Sequence, residues 1–223
     1  MNEPSSILLV RHARSLANAD PRVYQTMPDH AIPLCAPDDD PGALEAGAAI
    51  AGLGMPAEAV SCWRSSYLRC QQTEQLVMGR AFGPTADRLT RLESYLLREQ
   101  EYGDWDGLSD AQIAARDAER WSRKQQAADG YGRFYFRNPN GESRADVVQR
   151  MAVFIEHLRR SGTSHHVVFA HAITLRAFRM AWFHHSIEWF DGEPNPPNAA
   201  VLHLARDGGR GAWVERSIAP RTG

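Results

Sequence analysis

A chain of 223 residues with 43% apolar content is long enough to bury a sizeable core and is ordinary for a globular protein. A formal net charge of −2 excludes a chain drawn wholesale to nucleic acid or to an anionic membrane. Three scattered cysteines, Cys35, Cys62 and Cys70, argue against a disulfide framework or a zinc site and point to a reducing, cytoplasmic setting.

Taken in chain order, the first apolar run, Ile7-Leu8-Leu9-Val10, is too short for a signal peptide and predicts a buried strand over 6–10. It runs straight into Arg11-His12-Ala13-Arg14-Ser15, with Asn18 close behind. The stretch from Ala19 to Asp40 is rich in Pro and Asp and has no clear period, so it reads as a long loop. Pro41 to Leu53 is an Ala-rich helix with Pro at its start and Gly54 past its end. A strand over 58–63 and a helix from Tyr67 to Met78 follow. Leu97 to Gly107 is turn-rich and holds several carboxylates. Ser109 to Gln126 is a charged helix opened by Leu-Ser-Asp, and Asp129 to Gly141 is a second loop. Ser143 begins a helix with Val147, Val148, Met151, Phe154, Ile155 and Leu158 as its apolar stripe. A strand at 166–170 ends at His171, and Thr174 to Phe183 reads as a buried helix. Strands at 199–205 and 212–217 close the chain, and no run approaches the ~20 apolar residues of a membrane span. Strands alternating with helices predict an α/β domain, a three-layer sandwich with a mostly parallel central sheet and helices on both faces.

Two strand-then-histidine units are the chemical signal. A histidine at the carboxyl end of a buried strand sits where open α/β sheets bind ligands, and Arg11 beside His12 adds a planar fork suited to phosphate oxygens. Further along lie Ser65-Ser66-Tyr67-Leu68-Arg69-Cys70-Gln71-Gln72-Thr73, then Leu97-Arg98-Glu99 ahead of Gly103-Asp104-Trp105-Asp106-Gly107, then Pro139-Asn140-Gly141-Glu142-Ser143, His171-Ala172 and Pro197-Asn198. In that order they resemble the histidine phosphatase superfamily, also called phosphoglycerate mutase-like, whose members carry Arg-His-Gly, Ser-Pro-x-x-Arg-x-x-Gln-Thr, Leu-Arg-Glu before Gly-x-Trp-Glu-Gly, Pro-x-Gly-Glu-Ser and a late His-Gly. The match spans nearly the whole chain as a single domain, with a loop and helical insertion at about 103–141 over the site.

The resemblance implies a phosphomonoester hydrolase. His12 would be the nucleophile that becomes phosphohistidine. Arg11, Arg69 and His171 would form the phosphate pocket, and Glu99, preferred over the nearby Glu93 and Glu101 because it sits in Leu-Arg-Glu at the family spacing before Gly103, would give a proton to the leaving oxygen. Ser15, Arg14, Asn18, Arg98 and Ala172 are the further substrate contacts to expect. No metal or cofactor is implied, because two guanidiniums and an imidazole supply the charge. The expected partner is a small phosphorylated substrate, with neither nucleic acid nor membrane; a homodimer is the assembly considered. Ala13 and Ala172 stand where the family usually has glycine, Arg14 where an acid is common, and Ser66 where proline is usual; Pro37 to Pro41 lengthen the step after Leu34. Two alternatives stand beside hydrolysis: mutase-type phosphoryl transfer, and an inactive domain that recognises phosphate. The pairs His165-His166 and His184-His185 lack a completing Cys or carboxylate and read as structural, and the Trp182 to Phe190 aromatics read as packing.

Overall fold

The computed structural model describes residues 3–36, 40–127, 132–207 and 212–219. β1 (Ser6–Arg11) lies at the centre of a six-stranded sheet. Its side chains divide between the two faces: Ile7 and Leu9 enter one apolar cluster, Leu8 and Val10 the other. Burial on both sides is why the strand reads as an unbroken apolar run. α1 (Leu16–Ala19) is a single turn capped by Ser15, whose Oγ accepts from the Asn18 backbone N–H. The aperiodic loop after it is ordered as short 3₁₀ turns at Pro21–Gln25 and Asp29–Ala31. Pro37, Asp38 and Asp39, in the lengthened step, lie outside the described residues.

α2 (Gly42–Ala51), β2 (Val60–Arg64) and α3 (Leu68–Phe82) match the predicted order, α3 running four residues beyond Met78. β3 (Thr90–Glu93) was not foreseen. Its Thr-Arg-Leu-Glu sequence is largely exposed at the sheet edge, so it carries no apolar signature. The single charged helix predicted from Ser109 to Gln126 is two, α4 (Asp110–Arg116) and α5 (Ala118–Gln126). Asp117 breaks it with a non-helical backbone (φ −141°, ψ 62°), and its carboxylate caps α5. The loop expected at Asp129 to Gly141 contains α6 (Gly132–Tyr135); residues 128–131 lie outside the described residues. α7 (Arg144–Arg160) starts at Ser143 in a reciprocal capping box with Asp146. β4 (His165–Ala170), α8 (Ala172–Phe183), the unforeseen α9 (Ile187–Gly192), β5 (Val201–Arg206) and β6 (Trp213–Ala219) complete the chain.

The sheet order is β3-β2-β4-β1-β5-β6. β1, β2, β3 and β4 run parallel, and β5 turns antiparallel to β1. Val147, Met151 and Phe154 of α7 and Leu175 and Phe178 of α8 cover one face; Ala46 and Ile50 of α2 and Val77 and Met78 of α3 cover the other. This is the three-layer α/β sandwich the alternation predicts. No helix among the described residues is long and apolar enough to cross a membrane.

Candidate active site

Strand register assembles the site. β1 and β4 are adjacent and parallel with Arg11 opposite Ala170, so the residues that follow them, His12 and His171, emerge side by side at the carboxyl edge. Their ring centroids are 5.3 Å apart. β2 lies against β4 and delivers Ser65 to the same edge, where its Oγ is 3.0 Å from His171 Nε2. α3 then carries Arg69 across the top.

His12 Nδ1 lies 2.8 Å from the Ala13 carbonyl oxygen. A carbonyl only accepts, so Nδ1 carries the proton and Nε2 keeps its lone pair. Burial, and after it the charges of Arg69 and Arg11, hold the imidazole well below its usual pKa, so it is neutral near pH 7. The turn beneath it is pinned: Ala13 N–H donates to Thr73 Oγ1 (2.9 Å), and Asn198 Nδ2 donates to the His12 carbonyl (3.1 Å). Burial, Arg69 and His12 likewise depress His171, whose Nδ1 is buried without a protein partner.

The two cations are held differently. Arg11 Nη1 donates to the Pro196 carbonyl at 2.6 Å, and its Nε is buried and unpartnered. Arg69 Nη1 donates to the Asp29 carbonyl (2.6 Å) and to Asp29 Oδ1 (2.8 Å), and Nη2 donates to Oδ2 (3.2 Å). Burial alone would lower the Arg69 pKa; the Asp29 carboxylate outweighs it and leaves the group raised. Three of the five guanidinium hydrogens are thus committed, leaving Nε–H and one Nη2–H as a free edge.

Glu99 Oε1 accepts from Gln100 N–H at 3.0 Å and from Thr174 Oγ1 at 3.3 Å. Burial lifts its carboxyl above the usual range, opposed by Arg69, Arg150 and Arg11. Its loop is fastened from behind. Arg150 Nη2 donates to the Glu99 carbonyl (3.2 Å) and Arg150 Nε to Glu142 Oε1 (3.0 Å), while Glu142 Oε2 accepts from Glu101 N–H (3.0 Å).

Arg11, His12, Asn18, Arg69 and Glu99 line one cavity of about 670 Å³. His171 stands behind His12 at ring contact. The other predicted contacts are not on the cavity wall. Ser15 is a buried helix cap, and Arg14 is exposed, its backbone N–H on Asp40. Arg98 pairs with Glu101 and Glu142, and Ala172 is the buried first residue of α8. Neither Ala13 nor Ala172 has a positive φ, so an alanine methyl is tolerated where the family usually has glycine. Tyr24, Asp29, Tyr102 and Asp106 also line the cavity. Sequence reasoning gave none of them a role: Tyr24 and Asp29 sit in the aperiodic loop, and Asp106 is one acid among several. The histidine pairs are occupied elsewhere, His165 and His166 on Ser6 and Ser61 (2.8 and 2.6 Å), and His185 stacked on Trp189.

A sequence profile of the histidine phosphatase superfamily (branch 1) matches residues 7–218. The chain belongs to this superfamily. Among its relatives, the phosphoglycerate mutase-like protein AT74 of Arabidopsis thaliana is 33% identical over 92% of this chain and 66% of its own length. The broad-range acid phosphatase DET1 of Saccharomyces cerevisiae is 31% identical over 56% of this chain and 37% of its own length. The chain thus spans just under two thirds of AT74 and little over a third of DET1. Among solved structures, a mycobacterial glucosyl-3-phosphoglycerate phosphatase bound to VO3 superposes with a TM-score of 0.68 at 23% identity, covering 96% of this chain and 98% of that one. Identity that low speaks to the fold, which is that of the histidine phosphatases.

Proposed function

We propose that the chain is a phosphomonoester hydrolase working through a phosphohistidine at His12. One observation carries the reading: a neutral imidazole with Nδ1–H tied to a carbonyl and Nε2 unengaged, in a cavity shared with Arg11, Arg69 and the pKa-raised Glu99. Nε2 attacks phosphorus as the bond from phosphorus to the ester oxygen breaks. Glu99 gives its proton to the departing alkoxide, which leaves as the alcohol. Arg11, the free edge of Arg69 and Asn18 hold the non-bridging oxygens, where the charge of a loose transition state spreads, with His171 packed behind the nucleophile. The Glu99 carboxylate then takes a proton from water as that water attacks the phosphohistidine. Inorganic phosphate is released and both residues regain their starting states. The arginines supply the charge, so the reading requires no cofactor. An inactive phosphate-recognising domain is disfavoured, because Ala13 and Ala172 force no positive φ and every residue assigned to the chemistry is present. Transfer back to the substrate is disfavoured by the scarcity of free cations beyond the clamp.

The test is His12→Ala against wild type on a phosphomonoester panel, following inorganic phosphate. Turnover should vanish in the variant, and acid-labile, base-stable phosphate should be trapped on the wild type alone. Substantial turnover by His12→Ala would overturn the assignment.

A further inference from the structure

The cavity is far larger than a phosphate requires, so its outer half must accommodate the leaving group. Its wall holds three cations, Arg11, Arg22 and Arg69. Arg11 and Arg69 serve the phosphate. Arg22 lies at the exposed rim, where its charge is screened by solvent and matched by Asp20, with Nε and Nη2 both on that carboxylate at 2.8 to 3.0 Å. Behind Tyr102, Arg144 is paired with Asp191 and Arg176 donates to the Glu193 carbonyl; neither lines the cavity. Among the described residues, a second anion on the substrate would find no desolvated, unpaired cation on the wall beyond the two that serve the phosphate.

It would also meet Asp106. This carboxylate lines the cavity and has no ion-pair partner among the described residues. Its side chain is exposed at the cavity wall; partial desolvation, and after it the nearby Asp29 and Glu101, holds its carboxyl above the usual range, so a further negative charge is repelled here and a donated hydrogen bond is welcome. Neutral polar groups surround it. Tyr24 and Tyr102 line the wall with hydroxyls that take no protein hydrogen bond among the described residues, and Gln112 turns its Oε1 to Ser109, leaving its amide N–H groups to donate.

We propose that Asp106 selects the leaving group, so that the site takes phosphomonoesters of uncharged, polyhydroxylated alcohols and rejects those with a second anion beside the ester. Asp106 accepts a hydroxyl hydrogen, and Tyr24, Tyr102 and Gln112 serve the remaining hydroxyls. This rests on the phosphatase reading, and the experiment separates the two. Glycerol 1-phosphate and 3-phosphoglycerate share a three-carbon skeleton and differ by a CH2OH against a carboxylate. For wild type, kcat/KM should favour the glycerol ester by about tenfold or more. Asp106→Asn keeps the shape and removes the charge; it should shrink that ratio by about tenfold, mainly through the carboxylate substrate. p-Nitrophenyl phosphate reports the chemistry independently of either leaving group. If wild type releases phosphate from none of the three, the phosphatase reading fails. If p-nitrophenyl phosphate turns over but 3-phosphoglycerate matches the glycerol ester, or the ratio survives Asp106→Asn, the selectivity proposal is overturned and the phosphatase reading stands.

Discussion

At the scale of single residues, the site works by pushing two titratable groups in opposite directions. His12 is depressed, so its neutral form persists as pH falls below the ordinary imidazole range and is lost only when pH drops through the lowered value. Glu99 is raised, so its proton persists above the ordinary carboxylate range and is lost as pH rises through the raised value. In the proposed roles of nucleophile and acid, both groups would therefore be competent on the acid side of neutrality. Glu99→Gln keeps shape but donates no acidic proton. It should slow alkyl phosphates by about 100-fold or more and aryl phosphates far less, and should flatten the alkaline fall of kcat for alkyl esters. Steady-state pH profiles on both ester types check this; equal slowing of the two would move the acid role to Glu101. The convergence of His12, Arg69, Glu99 and His171 was legible in sequence because each sits in a short motif after a recognisable element. Asp29 was not. Its hold on Arg69 joins a loop without periodicity to a helix 40 residues away, and nothing local announces such a contact.

At the scale of elements, the loop bearing Glu99 is fixed by a buried ion network as well as by the apolar packing of Leu96 and Leu97. Glu142 links Arg98 at 2.6 Å and Arg150 at 3.0 Å, and Arg150 also donates to the carbonyls of Leu96 and Glu99. Gly103, at φ +60°, lets the loop pass so close to the 139–141 turn that a Cβ would lie 2.0 Å from the Pro139 carbonyl oxygen. Glu142→Gln would leave two buried or half-buried guanidiniums short of their counter-charge. It should destabilise the fold by about 3 kcal/mol, read as a lower denaturant midpoint with an unchanged slope. Glu119→Gln, which breaks the exposed pair with Arg123, should leave the midpoint nearly where it is. Similar midpoints for the two variants would show that the buried network does not hold the loop. Elements with a strong apolar period, β1, β4, α7 and α8, were readable from sequence. β3 was not, because edge exposure removes the pattern. The split between α4 and α5 was missed because helical charge patterning runs straight through Asp117, whose capping role shows only in its backbone angles.

At the scale of the whole molecule, a nearly neutral chain brings two guanidiniums together at one edge of its sheet. Net charge is −2, yet the carboxyl ends of β1 and β2, with α3 following, converge to bring Arg11 and Arg69 beside His12. Phosphoryl transfer needs charge where the equatorial oxygens gather it, whether from metal ions or from fixed guanidiniums. Among the described residues no cluster of three or more His, Cys, Asp or Glu is placed to hold a metal ion, and the carboxylates on the cavity wall are spread among different tasks. Asp29 is paired with Arg69, and Glu99 is the proposed proton donor to the leaving oxygen. The expected outcome is that chelator leaves the rate of phosphate release unchanged. Vanadate should inhibit competitively, because its five-coordinate form presents equatorial oxygens to the same two arginines. Arg69→Ala should weaken vanadate inhibition more than it weakens substrate binding, since the free edge of Arg69 serves the transition-state oxygens above all. Activity that disappears with chelator and returns with added divalent metal would place the missing charge outside the arginine pair. It would also require at least one of the cavity carboxylates to be a metal ligand instead.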